Sequence, residues 1–151
     1  MKTFHTHSAE ETTDLGRQVA AEIKPGSIVL LRGDLGAGKT TLVKGIAEGF
    51  NAAEAEAVTS PTFTLIHEYR GPEVTLYHID LYRIDTQREL DTLALDDLTE
   101  PNTILLIEWG EKFERFRKES DVEIAIEHKG ADERVIQFKP KTFETQRNGV
   151  S

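Results

Sequence analysis

Eight consecutive residues set the tightest limit on this chain. Gly33-Asp34-Leu35-Gly36-Ala37-Gly38-Lys39-Thr40 follows the pattern G-x-x-x-x-G-K-T, in which each residue type has its own physical task. The glycines, with Ala37 between them, let the backbone turn and aim its N–H groups at phosphate oxygens. The lysine reaches the β and γ phosphates, and the Thr40 hydroxyl can hold Mg²⁺. The pattern alone arises by chance, so its setting decides. Ser27-Ile28-Val29-Leu30-Leu31 reads as a buried strand before it. Thr41 to Phe50 reads as a helix after it, with Leu42, Val43, Ile46, Ala47 and Phe50 on the inner side. Strand, loop, helix is the order such a loop requires. The plain alternative is a glycine-rich turn with no ligand.

The remaining segments fit one α/β domain. Lys2 to Thr6 reads as a short strand, and Ser8-Ala9-Glu10-Glu11 as a capping box that opens a helix. Leu15, Val19 and Ile23 recur at fourfold spacing along it, so one face is buried. Ala52 to Ala57 is small and acidic and reads as an exposed loop. Thr59 to Tyr69 and Val74 to Arg83 read as a hairpin around the turn Arg70-Gly71-Pro72. Ile84 to Leu98 suggests one or two short helices. Ile104-Leu105-Leu106-Ile107 is a wholly apolar run, as expected of a central strand buried on both faces. Glu111 to Lys118 reads as a short amphipathic helix. Val122 to Ile126 and Arg134 to Phe138 alternate around Lys129-Gly130-Ala131-Asp132, which marks a terminal hairpin. The expected architecture is a single P-loop NTPase-like domain over residues 1–140. Its mixed central sheet has helices on both faces, and the phosphate loop sits at the carboxyl end of a strand. Residues 141–151 read as a polar tail.

Charge narrows the function. The formal net charge is −9, and an acidic chain is a poor unaided binder of nucleic acid, whose affinity rests on Lys and Arg at phosphates. Any contact with RNA would then run through another protein; the plain alternative is that the acidity simply keeps the protein soluble. With no cysteines, disulfides and thiolate metal sites are excluded. No run approaches a membrane span, and Met1 to His5 carries no apolar signal core, so a cytoplasmic location is expected.

Hydrolysis of a nucleotide needs a phosphate cradle, a metal and an oriented water. The cradle comes from Gly33 through Thr41, with Asp34 expected to face away from the phosphates. The second metal contact should be an acid at the end of a neighbouring apolar strand, and Glu108 is the strong candidate, the plain alternative being a strand-end carboxylate facing solvent. His78, Asp80 and Tyr82 alternate, so a strand places them on one face, where a carboxylate can orient or deprotonate the attacking water. An exposed sheet edge is the plain alternative. Ser60-Pro61-Thr62 is a hydroxyl-rich turn able to sense a γ-phosphate, although such a turn also commonly starts a strand. Trp109, the sole tryptophan, either covers the site, docks a partner or packs the core.

Four segments together resemble one family. They are the phosphate loop through Thr41, Ser60-Pro61-Thr62-Phe63-Thr64, Tyr77-His78-Ile79-Asp80-Leu81-Tyr82-Arg83 and Leu106-Ile107-Glu108-Trp109. In this order and spacing they are similar to the bacterial TsaE family, small ATPases of the threonylcarbamoyladenosine tRNA modification pathway. The likeness runs from about Ser8 to Phe138. It implies ATP as substrate and Mg²⁺ as cofactor. It also implies slow hydrolysis unless the partners TsaD and TsaB are joined, and tRNA contact only through that complex. Carried over by position, Lys39 and Thr41 contact phosphates, Thr40 and Glu108 hold Mg²⁺, and Asp80 assists hydrolysis. Family members also touch the nucleotide near the start of the first helix, here Ser8 to Thr12, and from the last hairpin, here Arg134.

The residues themselves point to slow turnover too. No arginine finger is evident, although Arg83 and Arg88 are candidates within the chain, and a finger is worth about 10³–10⁵ in rate. Two other readings remain at this level. One is a small-molecule kinase, which needs an acceptor pocket and an arginine-rich lid. The other is a nucleotide-gated binding module without meaningful turnover. A GTPase is disfavoured because no Asn-Lys-x-Asp motif is present.

Overall fold

A computed structural model describes residues 1–34 and 36–141. Leu35 and most of the expected polar tail, residues 142–151, lie outside the described residues. Seven strands form one sheet: β1 (Lys2–Thr6), β2 (Ile28–Arg32), β3 (Ile66–Arg70), β4 (Thr75–Asp80), β5 (Thr103–Glu108), β6 (Val122–His128) and β7 (Arg134–Pro140). Their spatial order is β1-β7-β6-β2-β5-β4-β3. The four central strands, β6, β2, β5 and β4, run parallel, and β3, β7 and β1 add antiparallel margins.

Burial follows from that order. All six residues of β5 are buried, and so are Ile28 to Leu31 of β2, because both strands have neighbours on each side and helices across each face. Parallel strands covered twice read as continuous apolar runs, which is why these two were legible. β6 alternates instead: Val122, Ile124 and Ile126 are buried, while Glu123 and Ala125 are partly exposed. Only one of its faces is covered.

That face carries α1 (Ala9–Ala20) and α2 (Lys39–Gly49), whose Leu15, Val19, Leu42, Val43 and Ile46 pack onto Val29, Leu31, Leu106 and Ile124. The opposite face carries α3 (Gln87–Thr92) and α4 (Glu114–Glu119), with Leu90 and Phe116 against Leu30, Ile79, Leu105 and Ile107. The mixed sheet with helices on both faces is thus the observed architecture, compatible with a P-loop NTPase-like α/β fold.

Several local expectations shift by a few residues. Ser8 caps α1 by accepting the Glu11 N–H at 3.0 Å, but Glu11 reaches back to the His7 N–H at 2.7 Å, one residue beyond the standard box. Ile23 is buried as expected but lies past the end of α1. The segment expected as one helix from Glu111 splits into a 3₁₀ turn at Gly110–Lys112 and α4, with Phe113 extended between them. The loop after α2 also holds a 3₁₀ turn, Ala55–Ala57, whose Ala55 N–H is accepted by Glu48.

One difference touches the site. β4 ends at Asp80, so Tyr82 does not share a strand face with His78 and Asp80. The physical reason is local: Asp80 Oδ1 accepts the Tyr82 N–H at 2.9 Å, and that side-chain bond turns the chain out of the sheet. Nor is β4 an edge strand, since β3 pairs along its outer side. His78 is fully buried and Asp80 is 4% exposed.

Candidate active site

The sheet brings two acids to one place. β4 and β5 pair in parallel with Asp80 directly opposite Glu108, and each is the last residue of its strand. β2 pairs with β5 on the other side and leads into the phosphate loop. The carboxyl ends of β2, β5 and β4 therefore open into one crevice, the usual place for ligands in an open α/β sheet.

A hollow of about 410 Å³ lies there, bordered by Gly36, Gly38, Lys39, Thr40, Thr41, Ser60, Thr62, Asp80, Glu108 and Arg134. Four sequence segments far apart along the chain thus converge with one residue from the last strand. A larger hollow of about 670 Å³ sits on the outer face of β6 and β7, beside Arg32, Asp34 and Glu127. It reaches none of Lys39, Thr40, Asp80 or Glu108, all of which border the smaller one. Asp34 is exposed and borders the larger hollow.

The start of α2 suits an anion. Gly38 precedes the helix with φ +109°, a conformation open chiefly to glycine, and supplies no side-chain cap. The first helical bond runs from Leu42 N–H to Gly38 O, so the earlier N–H groups have no partner within the helix. Free N–H groups and the positive end of the helix dipole together favour phosphate. A Cβ on Gly38 would lie 3.2 Å from Arg134 Nε, so a side chain here would crowd that arginine.

Lys39 is 5% exposed. Its Nζ donates to Gly33 O at 2.6 Å, lies 3.6 Å from Glu108 Oε1, and sits 4.5 Å from the centre of the Trp109 ring. The ammonium thus rests on the Gly33 carbonyl, with a carboxylate and an aromatic face close by. Glu108 Oε2 is bonded to His78 Nε2. Asp80 accepts the Thr62 hydroxyl at 3.2 Å, and Ser60 and Thr62 hydroxyls meet at 2.7 Å. The turn carrying them is tied to β4 by the Asp80 N–H to Leu65 O bond, 2.9 Å. Two non-glycine residues flank the site in the left-handed region, Leu65 at φ +70° and Trp109 at φ +64°. Such strain gathers where a chain must aim functional groups.

Other expected residues fall elsewhere. Ser8 borders neither the cleft nor the recess beside it; its hydroxyl caps α1, while Ala9 and Thr12 line that recess with Thr41, Asp132 and Arg134. The Gly33 carbonyl holds Lys39, and the Ala37 carbonyl accepts Arg134 Nε at 2.7 Å. Of the arginines considered, Arg83 stacks on Phe63 at 4.6 Å and Arg88 is exposed on α3; neither borders the cleft. Arg134 does. Trp109 is half-buried, with its ring 5.2 Å from that of Tyr82 and beside the Lys39 ammonium. The pairing of His78 with Glu108 was missed from sequence; the strand register is the signal that finds it.

The donors fit Mg²⁺. A threonine hydroxyl and one carboxylate are hard oxygen ligands, and Mg²⁺ ordinarily combines one or two protein groups with phosphate oxygens and water. No trio of His, Asp, Glu or Cys side chains forms a metal cage among the described residues. No described helix is long and apolar enough to cross a membrane.

Fold and cleft together define a P-loop NTPase-like α/β domain. The comparisons with known proteins narrow this. A family model described as "Threonylcarbamoyl adenosine biosynthesis protein TsaE" matches residues 6–136, and the chain belongs to that family, which serves tRNA threonylcarbamoyladenosine biosynthesis. The TsaE protein of Bacillus subtilis is 41% identical over 135 residues, covering 89% of this chain and 83% of that protein. That of Rickettsia typhi is 34% identical over 141 residues, covering 93% and 96%. The crystal structure of YdiB from Bacillus subtilis superposes with a TM-score of 0.72 at 33% identity, covering 99% of this chain and 93% of that one.

Proposed function

We propose that this TsaE-family chain is a Mg²⁺-dependent ATPase that binds TsaD and TsaB and hydrolyses ATP to reset that complex. One observation carries the reading: Lys39, Thr40, Asp80 and Glu108 border a single cleft at the uncapped start of α2. The N–H groups of the loop and of early α2, with Thr41, hold the phosphates. Lys39 exchanges the Gly33 carbonyl for phosphate oxygens, which a neutral carbonyl cannot outbid. Thr40 and Glu108 hold Mg²⁺, which when bound offsets the phosphate charge. Asp80 is the acceptor for a water proton, its carboxylate fixed by the Tyr82 N–H and the Thr62 hydroxyl. Because Thr62 makes that bond, a nucleotide that drew its turn toward the phosphates would change the aim of Asp80.

Slow turnover in isolation follows from the arginines. Arg134 Nε and Nη1 already donate to the carbonyls of Ala37, Ala131 and Glu133, and Arg83 and Arg88 lie outside the cleft. A partner that supplies a cation, or redirects Arg134, has about 10³–10⁵ in rate to add. The test is the ATPase rate of the purified chain with and without purified TsaD–TsaB. Strong stimulation, lost in Lys39→Ala, is expected. An unstimulated rate, or partner function that survives both Asp80→Ala and Glu108→Ala, would favour a binding module instead.

A further inference from the structure

His78 has no part in the chemistry above, yet it is the most enclosed polar side chain beside it. It is fully buried on β4. Its Nε2 meets Glu108 Oε2, and its Nδ1 has no partner among the described residues. Register explains the meeting. Asp80 lies opposite Glu108, so His78, two residues earlier, shares their face and stands diagonal to the glutamate. Packing alone does not explain a histidine here. The same face carries Leu76, Leu106 and Ile104, and an aliphatic side chain would fill that space without orphaning a ring nitrogen. What histidine adds is a donor aimed at Glu108.

Glu108 is pulled from two sides. One oxygen meets the ring, and the other lies 3.6 Å from the Lys39 ammonium. Without the ring, both oxygens are free to turn onto that ammonium. A Glu108 carboxylate turned fully onto Lys39 would leave the cleft without its metal ligand, while the ammonium keeps its place at the mouth of the loop.

We propose that His78 is a positioning residue: its Nε2–H ties down one oxygen of Glu108, so that the other stays turned to the cleft as a ligand for a nucleotide-bound divalent cation. This deepens the Mg·nucleotide reading and rests on it. The requirement is for an N–H at the place of Nε2, not for a ring. Glutamine carries its Nε2 the same number of bonds from Cα and can donate there. Asparagine ends one bond short.

The test titrates Mg²⁺ into the full-length protein saturated with ADP, following Trp109 emission, with calorimetry of ADP in EDTA as the reference. Partners that orient a metal ligand are worth about 10–100-fold in metal affinity. His78→Leu should therefore raise half-saturating Mg²⁺ about 10–100-fold, leave ADP affinity in EDTA within about twofold, and be rescued by His78→Gln. If His78→Leu does not fold, His78→Asn should show the same loss beside His78→Gln. The proposal is overturned if the leucine or asparagine variant responds to Mg²⁺ like wild type. It is also overturned if affinity falls equally with and without Mg²⁺, or if glutamine fails as leucine does while melting at the wild-type temperature. Wild-type binding of ADP with no Mg²⁺ response overturns it as well. Failure of the wild type to bind ADP at all would instead remove the nucleotide reading beneath it.

Discussion

Gly45→Ala sets two known effects against each other. Gly45 lies inside α2, where alanine is favoured over glycine by up to about 1 kcal/mol. Propensity alone predicts a more stable protein. Packing predicts the reverse, because α1 and α2 touch backbone to backbone at this point. A Cβ on Gly45 would lie 1.9 Å from Thr13 O and 2.9 Å from Gly16 Cα, where ordinary contact begins at 3.4 Å. No side chain can swing aside, so the helices must part. Overpacking costs about 1–3 kcal/mol, and rigid obstructing atoms put this case at the upper end. After the propensity gain, the net loss is about 2 kcal/mol, and a domain of this size loses about 2–4 °C per kcal/mol. Thermal unfolding followed by circular dichroism should therefore show Gly45→Ala melting about 4–8 °C below wild type. Gly16→Ala, whose Cβ would lie 2.4 Å from Leu42 O, should behave alike. ADP affinity should fall with it, since Lys39 and Thr40 open the displaced helix. A melting temperature at or above wild type for Gly45→Ala would refute the tight helix contact and the ranking of the two effects.

Four further outcomes are expected. Thr62→Val keeps the shape but removes the hydroxyl donated to Asp80, so kcat should fall about tenfold with little change in nucleotide affinity; equal losses in both would give Thr62 a binding role. Addition of Mg·ADP should change the emission of Trp109, whose ring lies 4.5 Å from Lys39 Nζ, and Lys39→Ala should abolish that response. Thr86→Ala should cost about 1 kcal/mol by deleting the α3 cap, read as a shifted denaturant midpoint. The Asp85 N–H, aided by the Thr86 hydroxyl, holds the Glu89 carboxyl below its ordinary value of 4.5, so the cap's stabilisation is present above that pH and is lost as pH falls through the lowered value. Glu89→Gln should accordingly destabilise at neutral pH and match wild type in acid, and a difference that persists in acid would contradict this.

The parts of the site read from sequence were those written in local pattern. The strand before Gly33 and the apolar run before Glu108 are continuous because helices cover both faces of β2 and β5, and continuity is visible without a structure. The hydroxyl turn at Ser60 and Thr62 was visible as composition, but its attachment to Asp80 spans eighteen residues and depends on the turn at Leu65. Tyr82 was misplaced because a side-chain bond two residues away overrides strand alternation. The His78–Glu108 bond was invisible because it depends on which strands are neighbours and in what register, information no single segment holds.

The sheet's order has a consequence for synthesis of the chain. A ribosome that has released residues only as far as β5 has already delivered Lys39, Asp80 and Glu108. At that moment β2 has an open flank where β6 will later pair, and β1 has no partner at all, since it pairs only with β7. Arg134, which grips the Ala37 carbonyl, is still in the exit tunnel or the codon queue. The cleft at the carboxyl ends of β2, β5 and β4 is therefore complete only when the last strand has emerged and Arg134 has reached it.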